Sequence, residues 1–283
     1  NSSGHIIGAN LVLEHVHPNL DGYALLSDVF YNALQQQGIF KVEKGHDMSF
    51  AQLRQSMPLT IIDSLSGAYK IANLKRSWPF NTGHKNDTTL ISSPEEQLAY
   101  EVAFRHTSWA AAMQQLYAGY NRSQDFTKAA TIVEALVQEH PTEAAYYEES
   151  ANYCGKLNNL EESAFYFGRA FALSPSFNTA RTLFAINLKL DRTAAALPYL
   201  DYAIAHNEQE LNLLPVKGAL LQILELQKQV AKDPANVDLL NRIADKYYKM
   251  GNKDGAEMYV QKALHASPGN KEALALQNQL KKV

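Results

Sequence analysis

Chemistry in this chain would have to come from a few histidines, carboxylates, amides and cations at particular spacings. Glu14, His15 and His17 fall within four residues, and two histidines two apart can both ligate a metal from an extended strand. No third and fourth ligand stands at a matching interval, so no metal is assigned and no cofactor is expected. Ser2 and Ser3 lie in no strand-to-turn context that would expose a nucleophile. Cys154 is the only cysteine, so no internal disulfide can form and the redox compartment stays open. Farther along, Asn152 and Lys156 are four apart, and Arg181 and Lys189 are eight apart. On helices each pair shares a face, and these amides and cations could together hold a peptide carboxylate. Glu148 intrudes on that basic strip, and Ala185 interrupts it.

The elements that would position these residues are written in a repeating spacing. Ala256 is followed by Ala263 after seven residues and by Pro268 after five more. Ser163, Ala170 and Pro175 keep that spacing, as do Ala129, Leu136 and Pro141. Ala196 and Ala203 keep the first interval and then reach Glu208 instead of proline. The starts at 129, 163 and 196 step by 34 and 33 residues, a period of stacked helical hairpins. Such hairpins bury their apolar faces only against one another, and their stack offers a curved surface to a partner.

The last unit is the cleanest. Asn236 can cap a helix carrying Leu239, Leu240, Ile243, Ala244 and Tyr247 on one face. Gly251 supplies a left-handed turn, and a second helix carries Ala256, Tyr259, Val260, Ala263 and Leu264 before Pro268 stops it. The small residues at 256 and 263 mark where the two backbones cross. Together these residues resemble the tetratricopeptide repeat, with its small residues at the crossing, first-helix tyrosine and terminal proline. Earlier units match less fully: Tyr117 and Tyr120 in 110–143, Ala151 and Cys154 in 144–177, Phe184 and Asn187 in 177–210. The resemblance covers about residues 110–270, with Lys271–Leu280 as a solvating end helix. One interval departs from it. Ala196 to Ala256 is 60 residues, 26 more than one period, and the expected cause is a degenerate repeat with a shortened first helix. Pro215 would start it and Asp233-Pro234 would end it.

The front segment reads differently. Glu14-His15-Val16-His17-Pro18-Asn19-Leu20-Asp21-Gly22-Tyr23 precedes an amphipathic helix with Tyr23, Leu26, Phe30, Ala33 and Leu34 on one face and Gly38 at its end. This stretch of about 30 residues resembles the closing block of the SGNH (GDSL-type) hydrolases. There an acid three before a histidine is followed by Pro-Asn, a glycine and the last helix of an α/β domain. The resemblance implies His17 as a base oriented by Glu14, where aspartate is commoner, serving a serine. The nucleophile block and the oxyanion-hole residues of such enzymes lie far upstream, and only 13 residues precede Glu14. The chain is therefore expected to be the tail of a longer hydrolase–repeat protein and to be no enzyme by itself.

Between front and repeats, residues 49–57 and 60–77 read as helices, the second with Thr60 as N-cap and Asp63 three later. Trp78 and Phe80 are expected to pack under the chain's own helices. A polar loop from Asn81 to Ser92 then leads to Ser93-Pro94-Glu95-Glu96, a strong helix start. The expected fold is all-α, a right-handed tetratricopeptide-like solenoid over 110–283 with an irregular unit near 211–236. It is preceded by a hydrolase remnant over 1–38 and a helical connector over 39–109.

An apolar fraction of 46% is ample for a core in one or two domains. A formal charge of −3 gives no reason to propose nucleic acid as a partner. No apolar run approaches ~18 residues, so no membrane-spanning segment is expected. Asn1 stands where a methionine would, so a trimmed or processed product is expected, which leaves a leader or anchor open. In tetratricopeptide arrays the first helix of each hairpin lines the concave groove. Here that face would carry Gln114, Ala118, Asn121 and Arg122, then Glu148, Asn152 and Lys156, then Arg181, Ala185 and Lys189, and last Asp238, Asp245 and Lys249. The function expected is therefore a scaffold for a protein or peptide partner. The alternative is part of an esterase whose serine lies upstream.

Overall fold

The computed structural model describes residues 8, 10–13, 17–41, 48–57, 59–79 and 91–281. Among them the regular structure is helical, apart from an isolated antiparallel bridge between Val12 and Pro18. The chain forms two compact units, Asn1–Gly119 and Tyr120–Val283.

In the first unit, the turn at Pro18-Asn19 is a built structure. Leu13 N–H donates to His17 O (2.8 Å) and Asn19 N–H to Leu11 O (2.9 Å). Asn19 then caps helix α1 (Leu20–Gln36) by accepting from the Gly22 N–H at 2.9 Å. A Cβ at Gly22 would collide with Leu11 O and lie 2.8 Å from Pro18 Cβ, so only glycine fits. Helix α2 (Phe50–Ser56) packs against α1, with Arg54 paired to Asp21 at 2.6 Å. The apolar face read for α1 is open to solvent: Tyr23 is 53% exposed, Leu26 44%, Phe30 65% and Leu34 41%. The buried residues of α1 are the small Gly22 and Ala24.

Helix α3 (Ile61–Arg76) starts as expected, because Thr60 and Asp63 form a reciprocal capping box. Asp63 also accepts from the Trp109 indole N–H at 2.7 Å, which ties this cap to the start of α5 (Trp109–Arg122). Helix α4 (Pro94–Ala103) has the same box from Ser93 and Glu96 and packs on α3, with Tyr69 edge-on to Tyr100. Trp78 departs from expectation. It is 84% exposed, because Ser77 leaves α3 in an extended conformation that carries the next residue away from the helices. Phe80 and most of the polar loop after it lie outside the described residues.

The second unit holds α6 (Phe126–Glu139), α7 (Ala144–Lys156), α8 (Leu160–Leu173), α9 (Phe177–Lys189), α10 (Thr193–Ala205), α11 (Leu214–Val230), α12 (Val237–Lys249), α13 (Lys253–Ala266) and α14 (Lys271–Leu280). Each packs on its sequence neighbour, most closely in the hairpins α7–α8, α9–α10 and α12–α13. The architecture is an all-α, tetratricopeptide-like stack. All eight residues of the 7-residue spacing are buried: Ala129, Leu136, Ser163, Ala170, Ala196, Ala203, Ala256 and Ala263. All but Leu136 are small, which serves close approach, as the Ser163 hydroxyl shows by donating to Ala151 O on the facing helix at 2.8 Å.

The turns repeat as well. A residue in the left-handed region stands two past the end of each first helix: Gln124 (φ 58°), Asn158 (59°), Asp191 (56°) and Gly251 (76°). The residue after it begins the second helix, and Asp125, Asn159 and Asn252 cap α6, α8 and α13 with their side chains. The long interval resolves differently from the degenerate hairpin expected. It holds one helix of 17 residues, α11, started by Pro215 and packed between α10 and α12. Twenty-six extra residues suffice for a helix and its links, not for a second hairpin.

Ala256→Leu is expected to force the α12–α13 crossing apart and cost about 1–3 kcal/mol. Ala266→Leu, at an exposed position of the same helix, serves as the neutral control. Urea denaturation of both variants checks this, and equal midpoints would mean the crossing lies elsewhere.

Candidate functional site: a trough over α12

Two cavities adjoin on α12. One, of about 410 Å³, is lined by Asn241, Arg242 and Asp245 from α12 and by Glu272, Ala275, Leu276 and Gln279 from α14. The other, of about 400 Å³, is lined by Gln222, Glu225, Leu226 and Gln229 from α11 and by Arg242, Asp245 and Lys246. Arg242 and Asp245 are common to both, so the two form one trough with α12 as its floor. No residue of the second helices α10 or α13 lines either cavity. Helix α11, although it lacks a hairpin mate, takes the place of a wall.

The floor is held by its own charges. Arg242 lies 3.6 Å from Asp238, and Asp245 pairs with Lys249 at 2.7 Å. Asn241 is 8% exposed, and its amide nitrogen donates to Asn270 Oδ1 (2.9 Å) and Glu272 Oε2 (3.1 Å). In the turn after α9, Asp191 gathers three donors. Tyr247 OH (2.7 Å) and Gln227 Nε2 (2.8 Å) bond one carboxylate oxygen, and Tyr259 OH (2.9 Å) bonds the other. Burial and this carboxylate push both phenols up, so they act as neutral donors.

The cations of the basic strip are each engaged. Lys156 lies over the rings of Phe126 (4.6 Å) and Tyr153 (4.9 Å). Arg181 donates to Gln209 at 3.0 Å and lies over Phe177, and Lys189 is 3.7 Å from Asp254. Asn152 is exposed on α7, while Asn121 accepts from Tyr153 OH at 2.6 Å. Arg122 is exposed near the end of α5, and Gln114 is exposed on the same helix within the first unit. Glu148 accepts from Thr179 at 2.6 Å, linking α7 to α9.

His17 is exposed at the bridge of the Pro18 turn, and Glu14 lies outside the described residues. Near that turn a cavity of about 470 Å³ runs between α1 and α3, with Leu13, Pro18, Tyr23 and Ile71 among its walls. No cluster of three metal-ligating side chains occurs among the described residues. Cys154 is buried, and burial with Glu162 and Glu134 nearby pushes its thiol up to about 12. Of the trough residues, Asp245 was on the expected groove face. Asn241, Arg242, Glu225 and Glu272 were not, since their role follows from the placement of α11 and α14. A polar Asn241 beside the apolar run Leu239-Leu240 and Ile243-Ala244 was the available signal.

Neither a protein-family model nor a curated protein matches this chain. Solved structures similar to it include YrrB, described as a TPR protein with an unusual peptide-binding site. That likeness has 16% identity over 64% of this chain and 97% of YrrB, with a TM-score of 0.37. A tetratricopeptide repeat protein from Parabacteroides merdae ATCC 43184 has 14% identity over 78% and 86%, at 0.40. The TPR domain of P58(IPK) has 12% identity over 82% and 80%, at 0.39. The hairpin architecture of the second unit stands on its own helix packing.

A thiol held near 12 is almost wholly protonated at pH 8, and the thiolate is the reactive form. Cys154 should therefore resist Ellman's reagent at pH 8 in the folded chain and react fully in guanidinium. Rapid labelling without denaturant would contradict the burial.

Proposed function

We propose that this chain is a protein-interaction scaffold that holds a peptide or protein segment along the first-helix face of its second unit. The observation that carries this reading is the trough over α12, where two cavities share a floor and three helices supply polar and apolar side chains. Such a concave, mixed surface suits an extended segment, which brings main-chain donors and acceptors together with side chains. Toward the other end of the unit, Asn121, Arg122, Asn152, Lys156, Arg181 and Lys189 are proposed as further partner contacts. Gln114 is a separate candidate on α5. A partner of nucleic acid is not proposed, given the net charge of −3.

A second reading concerns the front segment. We propose that it derives from the end of a hydrolase domain, with His17 and Glu14 serving a serine upstream of this chain. Support comes from the resemblance of the Pro-Asn-x-x-Gly turn and from the exposed face of α1, which suits burial against another domain. Catalysis requires nucleophile, base and oxyanion donors in one pocket. This chain alone is therefore proposed to hydrolyse no ester.

Two measurements test these readings. Arg242→Glu reverses the one cation common to both cavities and should lower the captured partner in pull-downs from the source cell about ten-fold or more. Equal yields from wild-type and variant bait would remove the trough from the binding surface. With p-nitrophenyl acetate, wild type and His17→Ala should both show only background hydrolysis. Turnover that vanishes in the variant would make the chain an esterase.

A further inference from the structure

Helix α1 reverses the usual order of an amphipathic helix. An apolar stripe ordinarily faces the core, yet in α1 Gly22 and Ala24 are buried while Tyr23, Leu26, Phe30 and Leu34 are exposed. These four follow one another at intervals of three, four and four residues, so they share one side of the helix. Ser27, Ala33 and the C-cap Gln37 complete that side and are exposed as well. A fully exposed aromatic side chain offers ~150–250 Å², so the stripe opens roughly 500 Å² to solvent. Patches of that size stand at the upper end of what monomers show and are often functional.

The charges of α1 narrow what can cover it. Its only charged residues are Asp21 and Asp28, and each lies two positions from a stripe residue, on the far side of the helix. Asp21 is also paired with Arg54. With no lysine or arginine in α1, an anionic membrane surface has nothing to meet. A charged partner would find no counter-charge on the stripe. A second copy would find no repulsion there.

The stripe is also its own complement. It runs from Tyr23 to Leu34 and is centred level with Asp28, the midpoint of Leu20–Gln36. An antiparallel copy about a two-fold axis at that level overlaps α1 over its whole length. Tyr23 then meets Leu34 of the second copy, Leu26 meets its Phe30, and the two helix dipoles are opposed. Covering both stripes removes about 1,000 Å² from water, the area at which specific interfaces begin.

We infer that α1 is a self-association face, through which two copies of this chain pair as antiparallel helices about a two-fold axis beside Leu26 and Phe30. This goes beyond the groove reading and does not rest on it. A domain upstream of the chain, as in the hydrolase reading, would compete for the same face.

Sedimentation equilibrium of the full chain at increasing concentration should show a monomer–dimer equilibrium. Phe30→Asp buries an unpaired charge beside the axis and should raise the dissociation constant about ten-fold or more. Asn32→Asp adds the same charge on the far side of α1 and should leave it unchanged. A wild-type chain that stays monomeric overturns the inference. A dimer that survives Phe30→Asp, or an equal loss in both variants, overturns it too. Cross-linking reads the pairing itself. Cys154 is buried, so a short bis-maleimide joins only introduced thiols. Ser27→Cys, near the axis, should be joined to its counterpart in high yield. Gln37→Cys should not, because in an antiparallel pair its counterpart lies about 25 Å along the axis. Equal yields at the two positions would refute the antiparallel pairing. Circular dichroism spectra of the variants that match wild type confirm that folded chains are compared.

Discussion

Two helix backbones can approach closely only where neither carries a large side chain at the crossing, and the second unit is built around that constraint. In α12–α13 the crossing is kept by Ala256 and Ala263, with Gly255 beside them; a Cβ at Gly255 would lie 2.7 Å from the Asn252 side chain and 3.0 Å from the Tyr247 ring. In α7–α8, Ser163 replaces alanine and turns its hydroxyl onto the facing backbone. With the crossing set, the turn has little freedom. One left-handed residue reverses the chain, and in three of the four turns the next residue caps the second helix with its side chain. Bulk then goes where the crossing leaves room, as with Tyr247, Leu240, Ile243 and Val260 in the core.

The groove is a consequence of the same arrangement. The two cavities over α12 are lined by residues of α11, α12 and α14 and by none of α10 or α13. Helix α11 stands there without a mate, and α14 closes the row. Their polar residues, Glu225, Gln222, Glu272 and Gln279, face a floor that a regular repeat would have flanked with its own kind.

Much of this was legible in the amino-acid order because it depends on local spacing. The 7-residue pairs located buried positions in the second helix of each hairpin, and Thr60 with Asp63 and Ser93 with Glu96 located helix starts, since a capping box involves only residues three apart. The fate of residues 211–236 was not legible. Whether an amphipathic stretch becomes one helix or part of a hairpin depends on what packs on both sides of it. Trp78 misled for a related reason: an aromatic residue after a helix suggests burial, yet Ser77 directs the chain outward. Asn241 illustrates the same limit. Its polarity was visible, but the partners of its amide come from α14 and the residue that caps it.

Asp191 gives the stack a property that ordinary repeats lack. In a simple repeat array each unit touches only the next, so the array can melt piece by piece from an end. Here a single carboxylate in the turn after α9 receives Gln227 of α11, Tyr247 of α12 and Tyr259 of α13, and Asn252 adds a bond to Leu188 O at 3.0 Å. The hairpin α12–α13 is thereby fastened past α11 to the hairpin before it. Release of either hairpin exposes the same buried phenols and leaves the same carboxylate unmatched, so α9 to α13 form one cooperative block. Slow amide exchange would be shared across that block, while α6 to α8 take no part in the Asp191 tie and are joined to it through α9, where Thr179 bonds Glu148.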